Sequence, residues 1–154
     1  VTVALERVDA DVRASDISVG ALDTARQNAA ELGAKVEFAQ GSWFDTDRPS
    51  EGRYDVIVSN PPYIEGGDEH LSQGDLRFEP QNALTDFSDG LSHIRHITQE
   101  APKYLKANGW LLFEHGYDQG EAVRNIMLEN GFAEVATEQD LAGLDRVTLG
   151  RLPA

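Results

Sequence analysis

The sequence predicts an α/β fold: a mostly parallel, doubly wound sheet with helices between its strands. Three observations carry this. Strand-like runs alternate with helical stripes of about 10 to 15 residues, as repeated βαβ units require. One run, "YDVIVSN" (54–60), is almost continuously apolar, the pattern of a strand buried on both faces. The conspicuous polar and aromatic residues Asp16, Trp43, Asn60 and Glu114-His115 follow one strand each, at the carboxyl ends where open α/β sheets bind ligands.

The elements follow in order. "VTVALERVDAD" opens the chain as the last turns of a helix, and "VRAS" (12–15) is a short strand with Asp16 at its end. Ser18 is an N-cap for a helix carrying Val19, Leu22, Ala25, Ala29 and Leu32 at helical spacing, with Gly33 just past its end. "KVEFA" (35–39) alternates as a strand, and the strand 54–60 comes after a polar loop. Residues 64–90 are rich in Gly, Asp and Glu and longer than an ordinary connection, which marks a lid or binding loop, or a disordered segment. Leu91, Ile94, Ile97, Ala101 and Leu105 form a helical stripe that Pro102 kinks or splits and Asn108-Gly109 end. "WLLFEHG" (110–116) is a buried strand, residues 119–130 a capped helix with Val123, Ile126 and Met127 inward, and "FAEVAT" and "RVTLGRL" an antiparallel pair. No internal repeat or boundary interrupts this, so residues 1–154 are expected to form one domain.

Composition narrows the functional classes. The chain has 154 residues, no cysteine, and a net charge of −14 from 27 acidic and 13 basic side chains. Without cysteine there is neither a disulfide framework nor thiolate chemistry, which fits a cytoplasmic location. An acidic chain without Lys/Arg clusters argues against direct nucleic-acid binding, and no apolar run reaches the length of a membrane span. His93 and His96 sit at i, i+3 with no third ligand in view, so no metal site is expected.

Chemistry concentrates at "SNPPYI" (59–64). Pro61 and Pro62 have φ fixed near −65° and no N–H, and Asn60 before them is pushed toward an extended conformation. The Asn60 side chain and the Pro61 carbonyl are thereby held in a fixed relation. Such an acceptor pair can grip both hydrogens of a planar NH₂ group, while the Tyr63 ring covers its face. Asp16, ending a strand of a nucleotide-binding sheet, is placed to accept from ribose hydroxyls, and Trp43 to wall an adenine ring.

These residues carry a resemblance. "SNPPYI" resembles the catalytic motif of S-adenosylmethionine-dependent methyltransferases acting on amino or amide nitrogens. "QGDLRFEPQNAL" (73–84), "LLFEHG" (111–116) and "DRVTLGR" (145–151) narrow it to the protein-(glutamine) methyltransferases that modify the Gln of the Gly-Gly-Gln motif in bacterial peptide chain release factors. The resemblance implies a Rossmann-like class I sheet and methyl transfer to that amide in translation termination, with S-adenosyl-L-homocysteine as product and release factors as partners. It places Asp16 on the cofactor ribose, Trp43 and more weakly Ser42 on the adenosine, Asn60 against both cofactor and amide, and Pro61, Pro62 and Tyr63 around the amide. Where some members have an acidic residue before the aromatic, this chain has Ser42, which still can accept a hydrogen bond. Glu79, Glu114 and His115 receive no catalytic role.

NPPY alone is shared with adenine-directed nucleic-acid methyltransferases, so that activity is the rival expectation, as is a non-catalytic binding module of the same fold. Family members also carry a Gly-rich loop after their first strand. No G-x-G-x-G occurs in these 154 residues. The first strand and that loop are therefore expected to be absent from the chain, and its isolated affinity for S-adenosylmethionine to be weak.

Overall fold

The computed structural model describes residues 1–46, 54–67 and 80–154. Contacts gather the chain into two compact units, Val1–Glu51 and Gly52–Ala154. Among the described residues the strands pair into two sheets, one of two strands and one of four.

In the first unit, α1 (Thr2–Glu6) leads to β1 (Arg13–Asp16), α2 (Val19–Leu32) and β2 (Glu37–Gln40). β1 and β2 are parallel, with Arg13 opposite Glu37 and Asp16 opposite Gln40. The ends of α2 are those the sequence specifies. Ser18 is extended and its hydroxyl accepts from the Ala21 N–H, while Gly33, at φ 72°, closes the helix in the left-handed region. The buried stripe is narrower than expected: Leu22 and Ala29 are buried, but Val19 and Leu32 are exposed. α2 packs only on two four-residue strands, too little surface to cover the whole apolar face.

The second unit contains β3 (Tyr54–Ser59), α3 (Ser92–Glu100), β4 (Leu105–Glu114), α4 (Gly120–Glu129), β5 (Ala133–Gln139) and β6 (Asp145–Arg151). Its sheet has the order β3-β4-β6-β5. β3 is parallel to β4, whereas β6 is antiparallel to both β4 and β5, so β6 alone is reversed. Ile94 and Ile97 from α3, Leu111 and Phe113 from β4, and Val123 and Met127 from α4 make the core.

Two expectations are corrected. β3 is not buried on both faces: Val56 is 50% and Val58 66% exposed. Among the described residues β3 is an edge strand, and that face of the sheet has no helix of this unit over it. The helical stripe through Leu105 also fails. α3 stops at Glu100, a 3₁₀ turn spans Ala101–Lys103, and Leu105 already pairs with Tyr54 in β4. Pro102 cannot donate into a continuing helix, and Asn108-Gly109 form a bulge inside β4 rather than a helix end, with Asn108 at φ 65°. The backbone groups the bulge releases pair with the chain terminus, Asn108 N–H donating to the Leu152 carbonyl and Leu152 N–H to that of Gly109.

Candidate active site

The first unit supplies an acidic strand end beside an aromatic loop. Asp16 closes β1 and is exposed. Its Oδ1 accepts from the Ser18 N–H at 2.7 Å, which fixes the carboxylate and leaves Oδ2 for another donor. Gly41 N–H donates to the Asp16 carbonyl, so the loop after β2 starts against the end of β1. Ser15 Oγ donates to the Trp43 carbonyl at 3.2 Å. Trp43 has φ 48°, a left-handed conformation that is costly for a bulky residue and that the neighbouring bonds hold in place. Asp16 ends β1, and Ser42 and Trp43 follow the end of the adjoining β2.

The second unit supplies the rigid corner. Asn60 follows β3 directly, and Asn60, Pro61, Pro62, Tyr63 and Ile64 line a recess of about 300 Å³ together with Ala83 and Leu84. Pro61 is buried; the Asn60 side chain is exposed and has no hydrogen-bond partner among the described residues. An amide oxygen held at the lip of a recess by the proline behind it is available to an incoming donor. The far wall is built by a 3₁₀ turn over Gln81–Ala83, and it is joined to the corner through Ile64 N–H donating to the Leu84 carbonyl at 2.9 Å. Within the expected binding loop 64–90, "RFE" (77–79), including Glu79, lies outside the described residues.

Tyr63 is half-buried, and its hydroxyl donates to Glu114 Oε1 at a long 3.5 Å. Burial, then the Glu114 charge, push the phenol above its ordinary range, with Arg146 opposing them. Tyr63 is therefore a neutral wall and hydrogen-bond donor at ordinary pH.

His115 is fully buried and committed on both ring nitrogens. Nδ1 lies 2.8 Å from the Gly116 carbonyl and Nε2 2.8 Å from Thr148 Oγ1. A carbonyl only accepts, so Nδ1 carries the hydrogen and Nε2 accepts from Thr148. Thr148 Oγ1 in turn accepts from Thr137, 2.8 Å away, whose oxygen accepts from Arg124 at 2.6 Å. Every hydrogen of this chain is used, so His115 is a joint between β4, β5 and β6. Neither it nor Glu114 is arranged as a general base.

The loop leading into α3 is organised by a residue that the sequence reading overlooked. Asp86 accepts from the N–H groups of Ser88, Gly90 and Ser92 and from the Ser92 hydroxyl. Burial works to raise its pKa, but these bonds to Ser92, Ser88 and Gly90 outweigh it and hold the carboxyl down at about 2. A depressed folded-state value stabilises the fold above the unfolded-state value near 4, and that contribution is lost as pH falls through about 2. Asp86 is partly exposed, so solvent screening reduces the effect to about 1 kcal/mol. In urea unfolding, Asp86→Asn should cost that amount at pH 7, and the difference should shrink steadily below pH 4. An unchanged difference at pH 2.5 would assign the cost to lost shape rather than lost charge. The signal for Asp86 was an Asp-x-Ser-x-Gly run ahead of a helix start, the composition of a self-bonded turn.

Comparison with known proteins follows from this geometry. The family model for the methyltransferase small domain matches residues 1–78, half of the chain. The chain belongs to the methyltransferase small domain family. Among curated relatives, the release factor glutamine methyltransferase of Neisseria gonorrhoeae is 72% identical over 98% of the chain and 55% of that protein. The chain spans about half the length of the curated relatives it matches. A solved methyltransferase from Pyrococcus furiosus superposes with a TM-score of 0.72, covering 98% of this chain and 68% of that one; at 17% identity it shows the fold alone. The solved release factor-specific protein-(glutamine-N5) methyltransferase of Alicyclobacillus acidocaldarius is 26% identical, with a TM-score of 0.52 over 93% of this chain and 81% of that one. The class I methyltransferase fold that the sequence resembled is therefore the fold of this domain. No group of three metal-ligating side chains is assembled among the described residues, and no described helix is long and apolar enough to cross a membrane.

Proposed function

We propose that this chain is the catalytic part of a cytoplasmic enzyme that methylates the side-chain amide of the Gln in the Gly-Gly-Gln motif of peptide chain release factors. The observation that carries the reading is the Asn60 side chain, exposed and without a partner among the described residues, at the lip of a recess walled by Pro61, Pro62 and Tyr63. The relatives named for this activity, and the "RFEP" and "EHG" segments, support the choice of an amide over an adenine amino group.

S-adenosylmethionine supplies the methyl group as an electrophilic carbon on a sulfonium. The residues of the first unit fit it: Asp16, whose Oδ1 is taken by the Ser18 N–H, would offer Oδ2 to the ribose hydroxyls, Trp43 would hold the adenine, and Ser42 would add a weaker polar contact. In the second unit, Asn60 Oδ1 and the Pro61 carbonyl accept the two N–H bonds of the substrate amide, and the Tyr63 ring covers its face. An amide nitrogen is a poor nucleophile because its lone pair is delocalised into the carbonyl. Two acceptors on its hydrogens would favour the positive charge that develops on the nitrogen as it takes up a methyl group, and holding the nitrogen in one orientation would contribute on the order of 7–11 kcal/mol more. The nitrogen becomes acidic only as it gains the methyl group, so no strong base is required beforehand, in keeping with the structural commitment of His115.

The test uses a full-length version, of the length the relatives have, with cofactor labelled in its methyl group. A release factor should acquire label, and the same factor with Ala in place of the motif Gln should not. Equal labelling of both, or transfer to adenine in added DNA instead, would overturn the assignment.

A further inference from the structure

We propose that Gln119 is a positioning residue for the amide clamp, setting the carbonyl and ring of the Asn60–Tyr63 corner through a hydrogen bond to its backbone. The inference rests on the reading of that corner as an amide site.

Gln119 lies at the N-cap of α4, 56 residues from Tyr63, and bridges two segments with the two ends of one side chain. Its Oε1 accepts from the Gly116 N–H at 2.8 Å, and its Nε2 donates to the Tyr63 carbonyl at 2.9 Å. The same carbonyl is closely approached by Gly90, which has φ 74°; a Cβ there would collide with the Tyr63 oxygen and come within 2.8 Å of Gln119 Nε2. A glycine and an amide donor thus converge on one backbone oxygen.

That oxygen matters because of the prolines. Pro61 and Pro62 offer no N–H, so neighbouring segments cannot anchor the corner at its centre through backbone donors. The corner is fixed from its ends: β3 before Asn60, and the Tyr63 carbonyl and Ile64 N–H after it. With both proline φ angles locked, a displacement at Tyr63 is passed on to the Pro61 carbonyl and carries the Tyr63 ring with it. The binding of an amide by two acceptors and a ring face tolerates little such movement.

Gln119→Glu separates this role from a structural one. The carboxylate keeps the bond from Gly116 N–H and gains a favourable position at a helix N-terminus, so a purely structural Gln119 predicts an unchanged or stabilised fold. It has no hydrogen for the Tyr63 carbonyl and repels it. In the full-length protein, kcat for methylation of a release factor should fall by roughly 10- to 100-fold. Cofactor Kd should stay within about twofold and the thermal midpoint should not drop. With ¹³C at the Tyr63 carbonyl, the resonance should move upfield as the bond is lost, while the Gly116 amide signal holds. A kcat within about twofold of the parent, or an unmoved carbonyl resonance, overturns the inference. Should the unaltered protein leave the release factor unmethylated, the functional reading fails on its own, and the carbonyl resonance alone decides the role of Gln119.

Discussion

Replacing Asn60 with alanine in the full-length protein is expected to lower the turnover of methyl transfer by about 10²–10³-fold, the cost of deleting one preorganised group aimed at developing charge. The argument has two halves. Chemically, Asn60 Oδ1 is one of the two acceptors assigned to the amide hydrogens, the Pro61 carbonyl being the other, and the remaining one cannot both orient the nitrogen and share its growing charge. Structurally, the side chain is exposed and holds nothing else in the described chain, so its loss should change folding stability by no more than about 0.5 kcal/mol. Cofactor affinity should fall by less than about tenfold, since ribose and adenine contacts are assigned to Asp16 and Trp43. Single-turnover assays and calorimetric titration of the same preparation separate these quantities. A variant with near-normal turnover would remove Asn60 from the reaction; one that lost cofactor binding and turnover together would make it a binding residue instead.

How much of this was legible in the sequence depends on how far each determinant reaches along the chain. Ser18 and Gly33 specify the ends of α2 with bonds to residues three or four positions away, and both ends were read correctly. The corner was legible for the same reason: two adjacent prolines restrict their own backbone and that of Asn60 wherever they occur. Leu105 was misread because it continues the apolar spacing of Ile94 and Ile97, while its real partner is Tyr54, 51 residues earlier in β3. Val56 and Val58 were misread because an apolar run reports what a strand would bury, not what lies over it. Gln119 was invisible for a similar reason. Nothing around "YDQGEAV" reveals that its amide reaches Tyr63, and Gly90 looked like one more loop glycine until its bare Cα was seen against the same carbonyl.

The other large effect concerns the methyl donor. The 154-residue chain alone is expected to bind S-adenosylmethionine at least about 10²-fold more weakly than a full-length version does, a loss of roughly 3 kcal/mol. The adenosine contacts offered by the first unit are few: Asp16 Oδ2 for the ribose, the Trp43 ring, and Ser42 in place of an acidic neighbour. The methionine portion needs more, because its carboxylate and ammonium must be matched by backbone groups brought close by glycine, and no G-x-G-x-G occurs in the chain to do this. The scaffold adds to the deficit. Among the described residues β1 pairs only with β2 and β3 only with β4, so the strand ends carrying Asp16 and Asn60 are each fixed from one side. A site whose walls must be ordered on binding loses affinity by the free energy of ordering them. Titration calorimetry of the two forms under one set of conditions measures the difference directly, and Asp16→Ala in the full-length form gives the internal scale, at about tenfold for a ribose contact. Micromolar binding by the isolated chain would mean that Asp16 and Trp43 suffice, and that the glycine loop contributes to catalysis rather than to capture of the donor.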